Sequence, residues 1–189
     1  MNFDDDLGLN HDPEKEEKSP SSLLDSVARN QIELPDYRNV LTKDEMKQIN
    51  GIFSKSEYFQ NFRIMSPHDI QMNQSVKNDE DFRNMHGNDM SIEKYKTHMQ
   101  YLSEAYREML TTGSLDPTRA TVFDPKDKRE VLGAYFNKNT AIAVEKYEGK
   151  VQLSYNGRHR LMAAKATNMP IPVIYYDADA KIKERNNAK

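Results

Sequence analysis

The stretch Val151–Tyr176, VQLSYNGRHRLMAAKATNMPIPVIYY, decides the fold of this chain. It opens with an alternating strand pattern, passes through a glycine into an alanine-rich helix pattern, and closes with an apolar strand bounded by prolines. Residues 141–150 immediately before it supply a first strand and a glycine turn, so the two stretches together predict a β-hairpin. The succession of hairpin, helix and strand predicts an α+β fold.

The composition excludes several classes of protein. The chain has 189 residues, of which 37% are hydrophobic and 30% charged, and it contains no cysteine. A disulfide framework, a thiolate metal site and a thiol nucleophile are therefore excluded. No apolar run is long enough to span a bilayer, and the first six residues, MNFDDD, are acidic where a secretory signal would be basic. We expect a cytoplasmic protein without a membrane partner.

Sequence patterns outside the deciding stretch suggest a division into four regions. Residues 1–40 are polar and acidic with few aromatics, which predicts a disordered acidic arm that offers a surface for a protein partner. Residues 41–112 read as a helical extension, residues 113–180 as the core, and residues 181–189 as a frayed basic tail.

Three local patterns support the helical extension. Thr42 and Glu45 have the spacing of a capping box, which predicts the start of a helix. Phe62–Met65 is a short apolar run that reads as a strand. A second helix is predicted over residues 92–110, where the apolar stripe consists of Ile92, Tyr95, Met99, Leu102, Tyr106 and Met109.

Charge is distributed unevenly along the chain. Residues 1–117 carry 13 Lys and Arg against 22 Asp and Glu, whereas residues 118–189 carry 14 against 8. A basic C-terminal half is typical of a protein whose ligand is phosphorylated or polyanionic.

The candidate ligand-binding residues lie in the turn that begins the helix of Val151–Tyr176. Asn156 is a candidate N-cap, and Gly157 lets a ligand oxygen approach the backbone because it lacks a Cβ. Arg158 and Arg160 each offer a planar fork of donors to phosphate oxygens, and His159 adds a further donor. The first turn of a helix also has backbone N–H groups without intrahelical partners. The pattern therefore predicts a phosphate or other anion site.

Two arginines at a helix N-terminus oppose the macrodipole, so they need an anion nearby. The anion is either a ligand or a carboxylate of the chain itself, and Glu145 and Asp177 are the candidates for ordinary salt bridges. The sequence leaves both interpretations open.

The hairpin, the run Tyr155–Lys165 with its Gly-x-His-Arg turn, and the strand Ile171–Ile174 resemble the core of the ParB/sulfiredoxin superfamily. The resemblance covers about residues 141–176. It implies a small mixed sheet with packed helices, in which the turn at residues 157–160 holds nucleotide phosphates. Relatives include CTP-hydrolysing partition proteins, ATP-using sulfiredoxins, serine kinases that use ATP or ADP, and proteins labelled as nucleases.

The chain departs from that superfamily at two places. Arg158 stands where sulfiredoxins carry a nucleophilic cysteine, which excludes sulfinic-acid reduction. Only 13 residues follow Tyr176, so the DNA-binding and dimerisation domains of partition proteins are not expected.

Three functions fit the sequence. The first is a nucleoside triphosphate-binding protein, with or without Mg²⁺, in the role of a slow NTPase or phosphotransferase. Its candidate catalytic residues are His159, at the turn, and Glu145, as a base or magnesium ligand. The second is a nucleic-acid-binding protein or nuclease that grips backbone phosphate. The third is a non-catalytic interaction module with a degenerate nucleotide pocket. Apart from that role of Glu145, no spacing of histidines and carboxylates predicts a metal site.

Overall fold

A computed structural model describes residues 34–72, 79–86, 92–115, 126–154 and 156–187. Most of the predicted acidic arm, residues 1–33, lies outside the described residues, as does Tyr155. From Leu34 onward the chain forms a single compact unit.

The described residues form six α-helices and four β-strands, which confirms the predicted α+β class. The helices are α1 (Lys43–Ser54), α2 (Asp79–His86), α3 (Lys96–Thr112), α4 (Lys126–Phe136), α5 (Arg158–Thr167) and α6 (Ala178–Asn187). The strands are β1 (Phe62–Met65), β2 (Ile142–Tyr147), β3 (Lys150–Leu153) and β4 (Ile171–Asp177). Single 3-10 turns occupy Pro67–Asp69 and Ile92–Tyr95. None of the helices in the described part of the chain is long and apolar enough to cross a membrane.

The four strands form one mixed sheet in the order β1-β4-β2-β3. Strands β2 and β3 are the predicted hairpin, and β2 runs parallel to β4, with α5 in the connection between β3 and β4. Strand β1 is antiparallel to β4 at the other edge, so the sheet joins residues from both sides of the predicted boundary at residue 112.

A connecting segment runs from β1 along α5 to the far edge of the sheet. Lys165 of α5 donates to Ile70 O at 2.7 Å, and His68 Nε2 lies 2.8 Å from Asn168 Oδ1 at the helix end. Gln71 then forms a parallel bridge to Gln152 beside β3. These contacts hold α5 against the sheet.

The two faces of the sheet are covered by different helices. On one face, Phe62 of β1 lies 6.1 Å from Phe53 of α1, measured between ring centroids. On the other face, Ile142 of β2 lies against Gly157 at the start of α5. Successive residues of a strand point to opposite faces. The even-numbered residues of β2 therefore share the face of Ile142, and only their side chains can reach the first turn of α5.

Helix α1 begins with the predicted capping box. Glu45 N donates to Thr42 Oγ1 at 3.2 Å, and Thr42 N donates to a carboxylate oxygen of Glu45 at 2.7 Å. We expect Thr42→Ala to lower the melting temperature by roughly 2–4 °C, because it leaves an N-terminal N–H without its side-chain acceptor. Thermal unfolding by circular dichroism measures the change. Thr97→Ala, an exposed helical position, is the matched control, and an equal shift in both variants would contradict a stabilising cap.

One prediction about an irregular segment is wrong. The C-terminal segment, predicted to be a frayed tail, forms α6. None of the described residues of α6 is buried, so this helix lacks the apolar stripe from which a helix is predicted.

Candidate functional site

Gly157 is the N-cap of α5, and two features of its surroundings require a glycine. Its φ of 98° lies in the left-handed region, which L-residues with a Cβ rarely adopt. A Cβ built on it would lie 2.4 Å from Ile142 Cγ1 and 3.2 Å from Ile142 Cα. The glycine therefore allows the helix start to approach β2 closely, which is a different reason from the ligand approach that the sequence suggested.

The first turn of α5 carries the backbone donors that the sequence predicted. Leu161 N donates to Gly157 O at 2.8 Å and closes the first intrahelical bond. The N–H groups of the three preceding residues, Arg158 to Arg160, come before this ladder. An anion at the helix start would be stabilised by these donors and by the positive end of the macrodipole.

Asn156 does not act as the N-cap, contrary to the prediction, because Gly157 occupies that position. The side-chain amide of Asn156 instead donates to Asn139 O at 3.3 Å. This bond ties the residue before the helix to the loop that precedes β2.

Arg158 and His159 both have exposed side chains at the start of α5. No carboxylate among the described residues forms a salt bridge with Arg158. The imidazole of His159 meets the ring of Phe82 from α2 edge-to-face, with centroids 6.4 Å apart. These two side chains are the predicted site residues that a ligand in solvent can reach directly.

Arg160 is half-buried and binds the protein's own backbone. One terminal nitrogen of its guanidinium donates to Ala134 O, in the last turn of α4, and the other donates to Thr140 O at 2.5 Å. Its central carbon lies 5.3 Å from the centroid of the Tyr135 ring. The cation thus lies at the C-terminal end of α4, where the helix dipole favours positive charge.

Neither of the two carboxylates that were considered as internal partners of the arginines forms a salt bridge with them. Asp177 accepts from Ala180 N at 2.9 Å and lies 3.8 Å from Lys146 Nζ. Glu145 belongs to the odd-numbered residues of β2, whereas Ile142, which contacts Gly157, is even-numbered. Glu145 therefore lies on the opposite face of the sheet from the turn. The structure does not bring it together with His159.

Arg160 is surrounded by polar aromatic side chains from three elements. We define the buried polar cluster as Tyr95, His98, Tyr135 and Arg160. The rings of Tyr95 and His98 have centroids 4.9 Å apart, and those of His98 and Tyr135 are 5.9 Å apart. This cluster is not predictable from the sequence, because its members come from separate elements and share no spacing.

Burial and the Arg160 charge set the protonation states within the buried polar cluster. Burial lowers the pKa of His98, and the nearby Arg160 lowers it further, so the imidazole is neutral at pH 7. Burial raises the pKa of Tyr95 and of Tyr135, against an opposing effect of Arg160. Burial also lowers the pKa of Arg160, although an arginine in a protein stays protonated.

The turn offers donors that suit the phosphates of a nucleotide, but it offers no set of ligands for Mg²⁺ among the described residues. Exposed Arg158, the N–H groups of the first turn and those donors of Arg160 that have no acceptor among the described residues suit phosphate oxygens. For Mg²⁺, the described residues contain no group of three His, Asp or Glu side chains that could hold a metal ion. A magnesium ion would therefore depend on the oxygens of the nucleotide and on water.

Comparison of the chain with protein-family models, with curated proteins and with solved structures gave no match.

Proposed function

We propose that this chain binds the phosphate groups of a nucleotide at the first turn of α5. In this proposal Arg158 contacts the phosphate, the backbone N–H groups of the turn donate to it, and Arg160 fixes the turn from behind. The observation that carries the proposal is that neither arginine is paired with a carboxylate among the described residues, although both lie at a helix N-terminus. Glu145 and Asp177, the internal alternatives, are directed elsewhere.

The proposal is limited to binding. Of the two candidate catalytic residues, His159 lies at the turn and Glu145 lies on the other face of the sheet. Hydrolysis or transfer would require a base that positions the attacking group. Among the described residues, His159 is therefore the group to test for that role.

Titration calorimetry with ATP, CTP and GTP, each with and without Mg²⁺, tests the proposal. We expect binding by the unaltered chain, and about 10-fold weaker binding by Arg158→Ala, because one charge-assisted hydrogen bond is lost. Arg185→Ala removes an exposed arginine from α6 and is the matched control, for which no change is expected. The absence of binding below millimolar concentration, or equal binding by Arg158→Ala, would contradict the proposed role.

Backbone phosphate of a nucleic acid presents the same chemistry to the turn, and the charge of residues 118–189 favours it. A single-stranded oligonucleotide titrated at several salt concentrations separates the two sources. Oligonucleotide binding that weakens steeply with salt, without binding of mononucleotides, would replace the nucleotide by a nucleic acid.

A further inference from the structure

We propose that the buried polar cluster is an oxyanion subsite, in which the Tyr135 hydroxyl, His98 Nδ1 and Arg160 contact one oxygen of the phosphate group that binds at the turn. This inference rests on the proposed function and extends it inward from the first turn of α5. It assigns ligand contacts to α3 and α4, which carry no recognisable phosphate motif.

Two orphaned polar atoms point to a missing partner. Tyr135 is fully buried, with 0% of its surface exposed, yet its hydroxyl has no hydrogen-bond partner among the described residues. His98 Nδ1 is buried and equally without a partner in that part of the chain. Nearly all buried polar groups in native proteins are paired, since an unpaired one costs roughly 1–3 kcal/mol. The two rings lie 5.9 Å apart between centroids, so both atoms belong to the same side-chain cluster.

The charge of the cluster selects an anion. A guanidinium has five N–H donors, and the contacts with Ala134 O and Thr140 O use two of them. The other three have no acceptor among the described residues, and no described carboxylate neutralises the charge. A cation would be repelled by Arg160, and an apolar group would leave both orphaned atoms unpaired. An oxyanion accepts from Arg160 and from the Tyr135 hydroxyl.

The neutral imidazole of His98 completes the subsite. A neutral imidazole carries its single proton on either ring nitrogen, and the hydrogen-bond partner determines which one. An oxygen with full negative charge selects the Nδ1–H form, so that His98 becomes a third donor. Because His98 Nδ1 and the Tyr135 hydroxyl are buried in the free chain, the oxygen enters after a side chain has shifted. His98 is the half-buried member of this pair.

Replacement of Tyr135 by phenylalanine tests the subsite, with Tyr106→Phe as the matched control. Both tyrosines are 0% exposed, but the Tyr106 hydroxyl donates to Pro170 O at 2.8 Å, whereas that of Tyr135 has no partner among the described residues. We expect Tyr135→Phe to fold with an unchanged or higher melting temperature and to bind inorganic phosphate, AMP and ATP about 10-fold more weakly. We expect Tyr106→Phe to melt a few degrees lower and to bind each probe as the unaltered chain does.

Failure of the subsite and failure of the proposed function give different results. If Arg158→Ala weakens ATP binding and Tyr135→Phe does not, the subsite is wrong and the proposed function stands. If Tyr135→Phe weakens binding of inorganic phosphate while the unaltered chain binds neither AMP nor ATP, the subsite stands. The assignment of a nucleotide as the ligand is then wrong. If the unaltered chain binds none of the three probes, both proposals are overturned.

Discussion

Replacement of Gly157 by alanine is expected to destabilise the chain by about 3 kcal/mol, the sum of a backbone and a packing effect. The left-handed φ of 98° costs a residue with a Cβ roughly 1–2 kcal/mol. The new methyl group also overlaps Ile142, whose Cβ and Cα are 3.1 and 3.2 Å away and belong to a buried strand. Neither atom can move without a shift of β2 or of the helix start. Urea unfolding measures the free-energy change.

Two other glycines separate the backbone effect from the packing effect. Gly149 in the hairpin turn has a φ of 72° and nothing within 4 Å of a built Cβ, so Gly149→Ala is expected to cost about 1 kcal/mol. Gly51 lies within α1 with open space around it, and Gly51→Ala is expected to stabilise the chain by roughly 0.5–1 kcal/mol. If Gly157→Ala costs no more than Gly149→Ala, the contact with Ile142 does not constrain the turn.

The Gly157 variant also bears on function. If the helix start is displaced from β2, the N–H groups of the first turn move with it. We therefore expect nucleotide binding to weaken in Gly157→Ala even at temperatures where the variant remains folded. Gly149→Ala lies in the hairpin turn and changes no part of the proposed site.

The elements predicted correctly are those with local signals. The capping box at Thr42, the hairpin around Gly149 and helix α5 each rest on residues close in sequence. The last helix, α6, has a local signal only at its start, in Asp177, and no apolar stripe marks it. Asp177 accepts from Ala180 N, and Asp179 accepts from the backbone of the hairpin turn. The contacts of Asp179 join residues that are distant in sequence, so the hydrophobic periodicity does not predict them.

The sequence predicted where along the chain the candidate site lies, but not how its side chains are arranged in space. A glycine followed by three basic side chains identified the turn, but its N-cap is Gly157 and not the predicted Asn156. Successive residues on a helix point about 100° apart, so Arg158, His159 and Arg160 cannot share one direction. Which of them faces α4 depends on how the helices pack around the sheet. The buried polar cluster depends on the same packing, and no sequence motif predicts it.

Replacement of Arg160 by alanine is expected to destabilise the chain by about 3 kcal/mol, because hydrogen bonds from a charged donor contribute roughly 1.5–3 kcal/mol each. The change removes the donors of Ala134 O and Thr140 O and the stacking on Tyr135. Relief from burying a charge offsets part of this loss, which keeps the expectation at the lower end of the sum of the two bonds. Urea unfolding measures the change.

Replacement of the two arginines of the turn is expected to change the free energy of unfolding by different amounts. Arg158→Ala should leave the free energy of unfolding within roughly 0.5 kcal/mol of the unaltered chain, since Arg158 is exposed and has no salt bridge with a described carboxylate. Arg160→Lys should recover part of the stability lost in Arg160→Ala, because an ammonium keeps the charge but cannot reach both carbonyls with a planar fork. Equal stability of Arg158→Ala and Arg160→Ala would contradict an anchoring role for Arg160. The anchor matters for the ligand as well, because a first turn that is fixed to α4 holds Arg158 and the backbone donors in place before a phosphate arrives.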